Sequence, residues 1–420
     1  MIIKRDKYLQ ELISGQGNGL VKVITGIRRA GKSFLVFTLF RNHLISNGVK
    51  LDHIFEMSFD VKENEKYCDS NVFYQYVKNK IVDDGLPFYV LLDEVQLLDD
   101  FESVLNGLVR MSNVDVYVTG SNAKFLSRDI ITEFRGRGDE IYLQPLSFSE
   151  FMSAYKGNKY DGWNEYIMYG GLPPVVLETN PAKKVKLLKS LLSETYLLDI
   201  MGRHRIRNKS EFEELIKILA SGVGSFTNPS KLSDTFRSVK KVKISKNTIA
   251  SYISYLEDSF IIEKAQRYDI KGRKYIDSPF KFYFTDIGLR NAETNFRQIE
   301  ETHIMENVIF NELISRGFQV DVGIVELFEK NAAGKKTRKS VEIDFVCNSA
   351  SKRYYIQSAF ALPDMEKAQQ EARPLLRTGD VFKKIIIVKD TPAPHYTDEG
   401  ILVMSIYYFL LNDDSLKAAQ

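Results

Sequence analysis

The sequence predicts an α/β fold that begins with a parallel sheet and continues through a helical region into a second α/β region. In the first 150 residues, apolar strand-like runs alternate with segments of helical periodicity, which favours parallel strands joined by right-handed crossovers. A glycine-rich stretch follows the first of these strands, and a later apolar run ends in two carboxylates. Three helices then precede a hairpin, and helices and strands alternate again after residue 299.

Length and composition are those of an ordinary globular protein. The chain has 420 residues, enough for about three domains. Its net charge of +3 is too small to indicate nucleic-acid binding without local clusters. Cys68 and Cys347 are far apart and lack metal-ligand spacing, which excludes a disulfide framework and suits a reducing cytoplasm. The N-terminus has no signal-peptide region and the apolar run at 401–411 is too short to span a membrane, so we expect a cytoplasmic protein without membrane contact.

The glycine-rich stretch, TGIRRAGKS at residues 25–33, fits the pattern G-x-x-x-x-G-K-[ST] at every position. A short helix is expected before it at residues 6–12, then a buried strand at 20–24, and a helix follows at 33–44. A loop between a strand and a helix is the context that a phosphate loop requires. The sequence therefore predicts a nucleoside triphosphate site formed by Gly26, Ile27, Arg28, Arg29, Ala30, Gly31, Lys32, Ser33 and Phe34.

The residue types in this loop explain how it would bind phosphate. Glycines allow the backbone to curl so that its N–H groups and the helix N-terminus point at phosphate oxygens. Lys32 would reach the β- and γ-phosphates of ATP, and the Ser33 hydroxyl would ligate Mg²⁺. Arg28 and Arg29 would contact either the phosphates or a partner subunit, and their spacing does not distinguish the two.

Two carboxylates end the next important strand. After a strand predicted at 53–59 and a helix at 71–81, the apolar run at 88–92 reads as a strand buried on both faces. It is followed by Asp93 and Glu94, which is the Walker B pattern. We expect Asp93 to complete the Mg²⁺ shell and Glu94 to polarise the attacking water, rather than to cap the next helix.

Polar residues also follow the neighbouring strand, predicted at 114–118. Ser121 and Asn122 are candidates for a hydrogen bond to the γ-phosphate or to the attacking water. The alternative is that they cap a short helix at 123–126, since Ser and Asn are favoured N-caps.

An arginine pair follows at Arg135 and Arg137, in the sequence FRGRG. Arg137 or its neighbour would act in trans, as a finger on the γ-phosphate of a second copy of the chain, or lie in a solvated turn. The sequence leaves both alternatives open, and with them the choice between a homo-oligomer and a monomer.

These motifs together resemble a known family. GIRRAGKS, LLDEVQ, TGSNAKFLS, the FRGR segment and LQPLSFSEF resemble prokaryotic AAA-type P-loop ATPases related to the archaeal ATPase branch, and the likeness extends over the whole chain. The resemblance implies a P-loop NTPase parallel sheet with a helical lid, a winged helix, and a C-terminal restriction-endonuclease-like domain. ATP and Mg²⁺ are the implied cofactors.

The helical lid is expected at residues 151–205. Helices at 147–154 and 163–169 precede the break Gly170-Gly171-Leu172-Pro173-Pro174, and a long amphipathic helix follows at 181–200. Arg203 and Arg205 are the candidates for a second sensor arginine that would contact nucleotide from the lid.

A winged helix is predicted at residues 206–298. Helices at 211–221, 230–237 and 245–258 precede strands at 261–262 and 281–284. The third helix would bury Ile249, Ile253 and Leu256 and expose a recognition face. Basic residues surround it and would contact double-stranded DNA, unless they are only a solvated face of a protein-binding module: Lys240, Lys241, Lys243, Lys246 and, at the wing tip, Lys271, Arg273 and Lys274.

The C-terminal domain, residues 299–420, resembles the restriction-endonuclease-like fold. Its predicted elements are a helix at 304–316, strands at 320–328, 341–347, 354–357 and 384–388, and a helix at 366–376. The resemblance implies a Mg²⁺-dependent phosphodiesterase site at Glu306, Asp344 and a following Glu-x-Lys. The chain has Gln357-Ser358-Ala359 there, so we expect the nuclease chemistry to be lost or nearly lost.

The sequence thus favours an ATP-binding and Mg²⁺-dependent ATP-hydrolysing switch, with the ATPase core at residues 1–150 and DNA or a protein as partner. Two other functions stay open. One is a DNA nuclease gated by ATP at Glu306, Asp344 and Gln357, and the other is a nucleotide-binding scaffold with negligible turnover.

Overall fold

The chain is described here from a computed structural model covering residues 2–82, 84–120, 138–297, 299–330, 336–350 and 352–417. It divides into two compact units. The first consists of residues 1–145 together with 258–260, and the second of residues 146–257 together with 261–420. The predicted α/β fold class is confirmed, because the first unit contains a parallel sheet and the second a mixed one.

The sheet of the first unit has five parallel strands in the order β2-β3-β4-β1-β5. β1, β3 and most of β4 are fully buried, as expected for strands covered on both faces. The sequence predicted four of the strands to within two residues and missed β5, a partly exposed edge strand that contains Asp139 and Glu140. The bounds are β1 Val21–Thr25, β2 Ile54–Ser58, β3 Phe88–Asp93, β4 Val114–Thr119 and β5 Gly138–Tyr142.

The described helices of the first unit pack on this sheet. Three consecutive segments, Lys32–Phe34, Leu35–Phe40 and Arg41–Ser46, form one continuous helix, α2, whose middle has π-helical hydrogen bonding. Aromatic and aliphatic side chains of β2, β3, β4 and of the helices after β2 and β3 fill one core. The other helices are α1 Asp6–Ser14, α3 Ser70–Lys78 and α4 Phe101–Val109, with 3₁₀ turns at Leu51–His53, Lys62–Cys68 and Val95–Leu97.

The second unit begins with helices. The long predicted helix is continuous through Pro181–Ser190, Leu191–Leu197 and Leu198–Arg203 and is named α8. Ser147 and Glu150 form a capping box at the start of α5, which explains where that helix begins. The remaining helices before the sheet are α5 Phe148–Ala154, α6 Lys159–Tyr169, α7 Pro173–Val176, α9 Lys209–Ser221, α10 Pro229–Val239 and α11 Lys246–Asp258.

An eight-stranded mixed sheet forms the rest of the second unit, in the order β12-β13-β11-β10-β9-β8-β6-β7. The hairpin predicted as the wing, β6 and β7, belongs to this sheet, because residues Arg267–Asp269 of β6 pair in parallel with Val322–Ile324 of β8. The wing is therefore continuous with the C-terminal sheet. The strands are β6 Ile262–Asp269, β7 Lys274–Phe284, β8 Gln319–Lys330, β9 Lys336–Ser349, β10 Lys352–Ala359, β11 Lys383–Val388, β12 His395–Tyr396 and β13 Leu402–Ser405.

Five short helices and strands of this unit were not predicted: α7, which begins inside the break expected at 170–174, and α12, α15, β12 and β13. Each is at most seven residues long, so its periodicity is weak in the sequence. The helices are α12 Ile287–Glu293, α13 Glu301–Ser315, α14 Met365–Leu376 and α15 Ile406–Leu411. Within the described ranges, no helix is both long enough and apolar enough to cross a membrane.

Candidate functional site

The loop between β1 and α2 adopts a backbone that only glycine tolerates at two places. Gly26 has φ 131°, and a Cβ added there would lie 2.2 Å from the carbonyl oxygen of Leu143. Gly31 has φ 102° immediately before α2. Arg29 also has a positive φ, 64°, which costs free energy for a residue with a Cβ. The loop is therefore held in a curled conformation that the two glycines make accessible.

Lys32 is buried inside this loop. Its Nζ donates to the carbonyl oxygens of Gly26 at 2.8 Å and Ile27 at 3.1 Å. Burial lowers the pKa of Lys32 to about 8, although the nearby charges of Glu94 and Asp93 act in the opposite direction. The ammonium therefore lies inside the loop and interacts electrostatically with the two predicted acidic residues. An anion bound in the loop would stabilise the charged form of Lys32.

The first turn of α2 presents backbone donors. Its first described hydrogen bond runs from the Leu35 N–H to the Gly31 carbonyl at 2.9 Å, so the amides of residues 32–34 have no acceptor within the helix. Ser33 and Phe34 are exposed. These free N–H groups and the helix dipole favour an anion at this position.

Arg5 attaches the loop to the rest of the first unit through two backbone carbonyls. Its guanidinium donates to the carbonyl of Ala30 at 3.2 Å and to that of Gln144 at 2.7 Å, and it is 4 % exposed. The sequence alone gave no indication of a role for Arg5. In the structure it connects the loop to the segment after β5.

Asp93 lies at the end of β3 and is held by hydroxyls from both neighbouring strands. Thr119 Oγ1, at the end of β4, donates to Asp93 Oδ1. Ser58 Oγ, at the end of β2, lies 3.3 Å from Asp93 Oδ2 and shares its one proton between that oxygen and Asp60 Oδ1, at 2.6 Å. Asp93, Thr119 and Ser58 meet because parallel strands bring their carboxyl ends to one edge of the sheet. A carboxylate fixed in this way has the chemistry of a Mg²⁺ ligand that acts directly or through water.

Glu94 is oriented by its backbone. It has φ 50° and ψ 46°, and its N–H donates to Thr119 Oγ1 at 3.3 Å. Its carboxylate accepts a hydrogen bond from Gln96 Nε2. A left-handed conformation at a non-glycine residue costs about 1 kcal/mol or more and is found most often at functional sites.

The structure brings Lys32, Asp93 and Glu94 together as the sequence predicted, whereas Ser121, Asn122, Arg135 and Arg137 lie outside the described residues. The sequence analysis missed Thr119 and Ser58. Their signal was available, because each ends a strand adjacent to β3, and the register pairs Ser58 with Asp93.

The residues present fit Mg²⁺ and a nucleoside triphosphate. The curled loop, the first turn of α2 and the Lys32 ammonium supply donors and positive charge for phosphates. No group of three or more metal-ligating side chains occurs among the described residues. Mg²⁺ is usually bound by one or two carboxylates plus substrate phosphates, and Asp93 with the Ser33 hydroxyl would supply the ligands from this chain.

The second unit contains a buried acidic cluster where the sequence placed a degenerate nuclease site. Glu306 of α13 and Asp344 and Glu342 of β9 surround the ammonium of Lys281, at 2.8, 3.9 and 2.5 Å respectively. Tyr283 also donates to Glu306, at 2.7 Å. The sequence analysis missed Lys281, because it comes from β7 and not from the Glu-x-Lys position.

The electrostatics of this cluster are those of a closed ion network. Burial opposes the charged form of Lys281, but the carboxylates of Glu306, Asp344 and Glu342 outweigh it and raise its pKa above the ordinary value. Burial and the neighbouring carboxylates raise the pKa of Asp344. Asp344 also accepts from the Ser358 N–H at 2.8 Å. The ammonium compensates the charge that a divalent cation would otherwise neutralise.

The predicted recognition helix, α11, buries Ile249, Ile253 and Leu256 as expected, together with Tyr252. Lys241, Lys243 and Lys246 are exposed, and none forms an ion pair with a described residue. Lys240 is different, since its Nζ lies 2.8 Å from Glu214.

The two arginines of the predicted lid have different surroundings in the second unit. Arg203 forms an ion pair with Asp199, one turn earlier in α8. Arg205 follows the helix with φ 50°. A sensor role for either remains a prediction.

Comparisons with known proteins identify an AAA domain in the first unit and relatives that match most of the chain. A family model described as an AAA domain matches residues 18–152, and one described as a domain of unknown function (DUF8612) matches residues 160–300. An uncharacterized protein of Haemophilus influenzae is 34% identical over 391 residues, covering 92% of this chain and 93% of its own length. An uncharacterized protein of Methanocaldococcus jannaschii is 26% identical, covering 90% and 83%. Among solved structures, a Walker-type ATPase of Pyrococcus abyssi has a TM-score of 0.51 at 14% identity, covering 70% of this chain and 96% of that one, which indicates a shared fold.

Proposed function

The chain belongs to the prokaryotic AAA-type P-loop ATPases, and we propose that it is an ATP-binding, Mg²⁺-dependent ATP-hydrolysing switch that acts on or near DNA. One observation carries the proposal. The buried ammonium of Lys32 lies inside a curled glycine loop and interacts electrostatically with Asp93 and Glu94 at the carboxyl edge of a parallel sheet. Phosphate, Mg²⁺ and water are the groups that such an arrangement binds together.

Each residue has a separate task in this proposal. The N–H groups of the loop and of the first turn of α2 bind the phosphates, and Lys32 exchanges its two carbonyl acceptors for phosphate oxygens. Ser33 and Asp93 hold Mg²⁺, which neutralises charge on the transferred phosphoryl group when it is bound. Glu94 accepts a proton from the attacking water. Thr119 and Ser58 keep Asp93 in position.

Other predicted residues would complete the site. Ser121 or Asn122 would contact the γ-phosphate or the water, and Arg137 would act as a finger in a homo-oligomer. Arg28, which acts electrostatically on Lys32, would contact the phosphates.

A DNA partner is supported by the exposed basic residues near α11. Lys241, Lys243 and Lys246 lie on or just before a helix whose apolar side is buried, as in a recognition helix. We therefore propose that this surface contacts duplex DNA and that ATP changes its affinity. A protein partner is the alternative. The free thiols Cys68 and Cys347 are consistent with a cytoplasmic location.

Nuclease activity is disfavoured by Lys281. A divalent cation at Glu306 and Asp344 would have to displace an ammonium that already makes three close charge contacts. If purified protein cleaves DNA in a Mg²⁺-dependent reaction that is lost in Glu306→Ala with Asp344→Ala, the nuclease function replaces the switch.

The test of the proposal is steady-state ATP hydrolysis by wild type and Lys32→Ala, with and without duplex DNA. We expect turnover that duplex DNA stimulates and that Lys32→Ala abolishes. If turnover depends on Lys32 but does not change when DNA is added, the proposed partner would be a protein and not DNA. Absence of turnover in every condition would leave a nucleotide-binding scaffold.

A further inference from the structure

A cavity of about 630 Å³ opens between the ends of two hairpins in the sheet of the second unit. The β6–β7 turn contributes Lys271 and Arg273, the start of β10 contributes Lys352 and Arg353, and the segment before β11 contributes Phe382. Its volume lies within the range of ligand sites in proteins, about 300–1,000 Å³. None of these residues belongs to the ATP site or to α11.

The cavity is strongly basic. Four cationic side chains line it, against one carboxylate, Asp380, which accepts a hydrogen bond from Tyr355 at 2.6 Å. Lys271, Arg273 and Lys352 are exposed, and none pairs with a described acidic residue. Three cations near one concave surface without compensating charge indicate an anionic ligand, because like charges brought together raise the free energy of the empty site.

Arg353 is held in place rather than mobile. Its Nε donates to Asn348 Oδ1 at 2.7 Å, and its guanidinium lies 5.4 Å from the ring of Tyr268 and 5.3 Å from that of Phe382. A guanidinium ordered in this way loses little entropy when an anion binds.

Aromatic surface accompanies the charge. Phe382 is 37 % exposed at the cavity, and the adjacent Val381 is 98 % exposed. An acidic peptide would use the cations but would have no need of an exposed aromatic ring. Cations beside an accessible aromatic ring match a single-stranded nucleic acid, whose phosphates pair with the cations and whose unstacked bases cover the ring. Duplex DNA keeps its bases stacked and offers only phosphates to such a concave site.

We propose that this cavity binds single-stranded nucleic acid, with Lys271, Arg273 and Lys352 on the phosphates and Phe382 against a base. The cavity shares Lys271 and Arg273 with the predicted wing tip but contains none of the lysines beside α11, and its occupation requires no ATP hydrolysis.

The test measures binding of a fluorescent oligodeoxythymidylate of about ten nucleotides to the full chain, by anisotropy at several salt concentrations. One variant carries Lys271→Gln and Lys352→Gln. The matched control carries the same charge change on α8, Lys183→Gln and Lys186→Gln, at exposed residues that belong to neither proposed nucleic-acid surface. Phe382→Ala is measured in parallel, and a labelled duplex of the same length is bound to every protein.

We expect the cavity pair to weaken single-strand binding at least about tenfold and to lower the salt slope by about 1.4, which corresponds to two phosphate contacts. Phe382→Ala weakens it at least about fivefold with an unchanged salt slope, since stacking is not ionic. The control pair retains single-strand affinity.

Three results would overturn the inference. One is wild-type affinity of the cavity pair for the oligonucleotide, and another is an equal loss in both lysine pairs. The third is an unchanged affinity of Phe382→Ala together with full competition by polyglutamate, which would identify an acidic protein segment as the ligand.

Discussion

Thr119 connects the two acidic residues of the ATP site through one hydroxyl. Its Oγ1 donates to Asp93 Oδ1 and accepts from the N–H of Glu94. A single side chain therefore fixes both the candidate Mg²⁺ ligand and the backbone of the candidate base. Hydrogen bonds to a metal ligand commonly affect metal affinity by about tenfold to a hundredfold.

Replacing Thr119 by Val removes both hydrogen bonds with almost no change in shape. We predict that the Mg²⁺ concentration for half-maximal ATP hydrolysis rises by about tenfold or more. Thr119→Ser, which retains the hydroxyl, should restore the wild-type value. A Thr119→Val variant with unchanged Mg²⁺ dependence would remove Thr119 from the site.

The lowered pKa of Lys32 predicts proton uptake on ATP binding. Because its pKa is about 8 in the free protein, a large fraction of Lys32 is neutral at pH 8.5. Bound phosphates favour the ammonium and raise this pKa, so ATP binding at pH 8.5 should take up roughly half a proton or more. At pH 7 the uptake by Lys32 should be small.

Calorimetric titration in two buffers of different ionisation enthalpy measures this uptake. Lys32→Arg is the control, since its guanidinium remains protonated in both states. Equal uptake in Lys32→Arg and wild type at pH 8.5 would assign the proton to another group.

Lys281 compensates the negative charge of the buried carboxylates in the second unit and so contributes to the stability of that unit. We predict that Lys281→Met lowers the free energy of unfolding at pH 7 by about 3–5 kcal/mol, because it leaves buried carboxylates without a cation. Lys264→Met, on the adjacent strand and 4.0 Å from a half-buried Glu257, should cost less than about 1 kcal/mol.

The sign of the pH dependence follows from the raised pKa of Asp344. Between the unfolded pKa near 4 and the raised folded value, the folded state binds more protons, so stability falls as pH rises. Without Lys281 the folded pKa of Asp344 rises further, and this pH range widens. The loss of free energy of unfolding in Lys281→Met, relative to wild type, should therefore become smaller as pH is lowered from 7 towards 5. Urea unfolding at several pH values measures it, and a deficit that does not change with pH would refute the network.

Among the structural elements, α13 is attached to the end of β7 by two asparagine side chains. Asn307 is fully buried, and its side chain accepts from the N–H of Phe284 and donates to its carbonyl, both at 2.8 Å. Asn311, one turn later, donates to the same carbonyl at 2.9 Å. The helix with Glu306 and the strand with Lys281 are thus held in register.

The two asparagines should differ in cost. Asn307→Leu leaves the Phe284 N–H without an acceptor and is predicted to lower the free energy of unfolding by about 1–3 kcal/mol. Asn311→Leu should cost less, since Asn311 is only partly buried and Asn307 still satisfies the Phe284 carbonyl, so that the 3.0 Å bond to the Thr285 carbonyl is the main loss. Denaturant unfolding of both variants gives the comparison, and a larger loss in Asn311→Leu would contradict it.

Local patterns determined how much the sequence could predict. The glycine loop and the Asp93-Glu94 pair are each contiguous in sequence, so their positions between β1 and α2 and at the end of β3 could be predicted, while their roles remain predictions.

Thr119 and Lys281 contact carboxylates that lie 26 and 25 residues away in sequence, respectively. Thr119 directly follows a predicted strand, so its place beside Asp93 follows once the strand order is known. The contact of Lys281 with Glu306 depends on how a helix packs on the sheet, which single-sequence periodicity does not reveal. β5 was missed because its charged, half-exposed residues lack the apolar run of a central strand.

At the scale of the whole molecule, the two units have different chemistry. The first contains the proposed ATP site. The second contains the exposed lysines near α11, the closed network around Lys281 and the basic cavity. The pairing of β6 with β8 joins the predicted winged helix and the C-terminal domain in one sheet, so a ligand at either would act on the same folded unit.

The central claim is that this chain hydrolyses bound ATP with Glu94 as base. Single-turnover hydrolysis of pre-bound ATP, with nucleotide affinity measured on the same samples, tests it for wild type and Glu94→Gln. We predict unchanged ATP affinity in Glu94→Gln with hydrolysis slowed at least about a hundredfold. Hydrolysis of bound ATP by Glu94→Gln at the wild-type rate, or none by the wild type, would contradict the account.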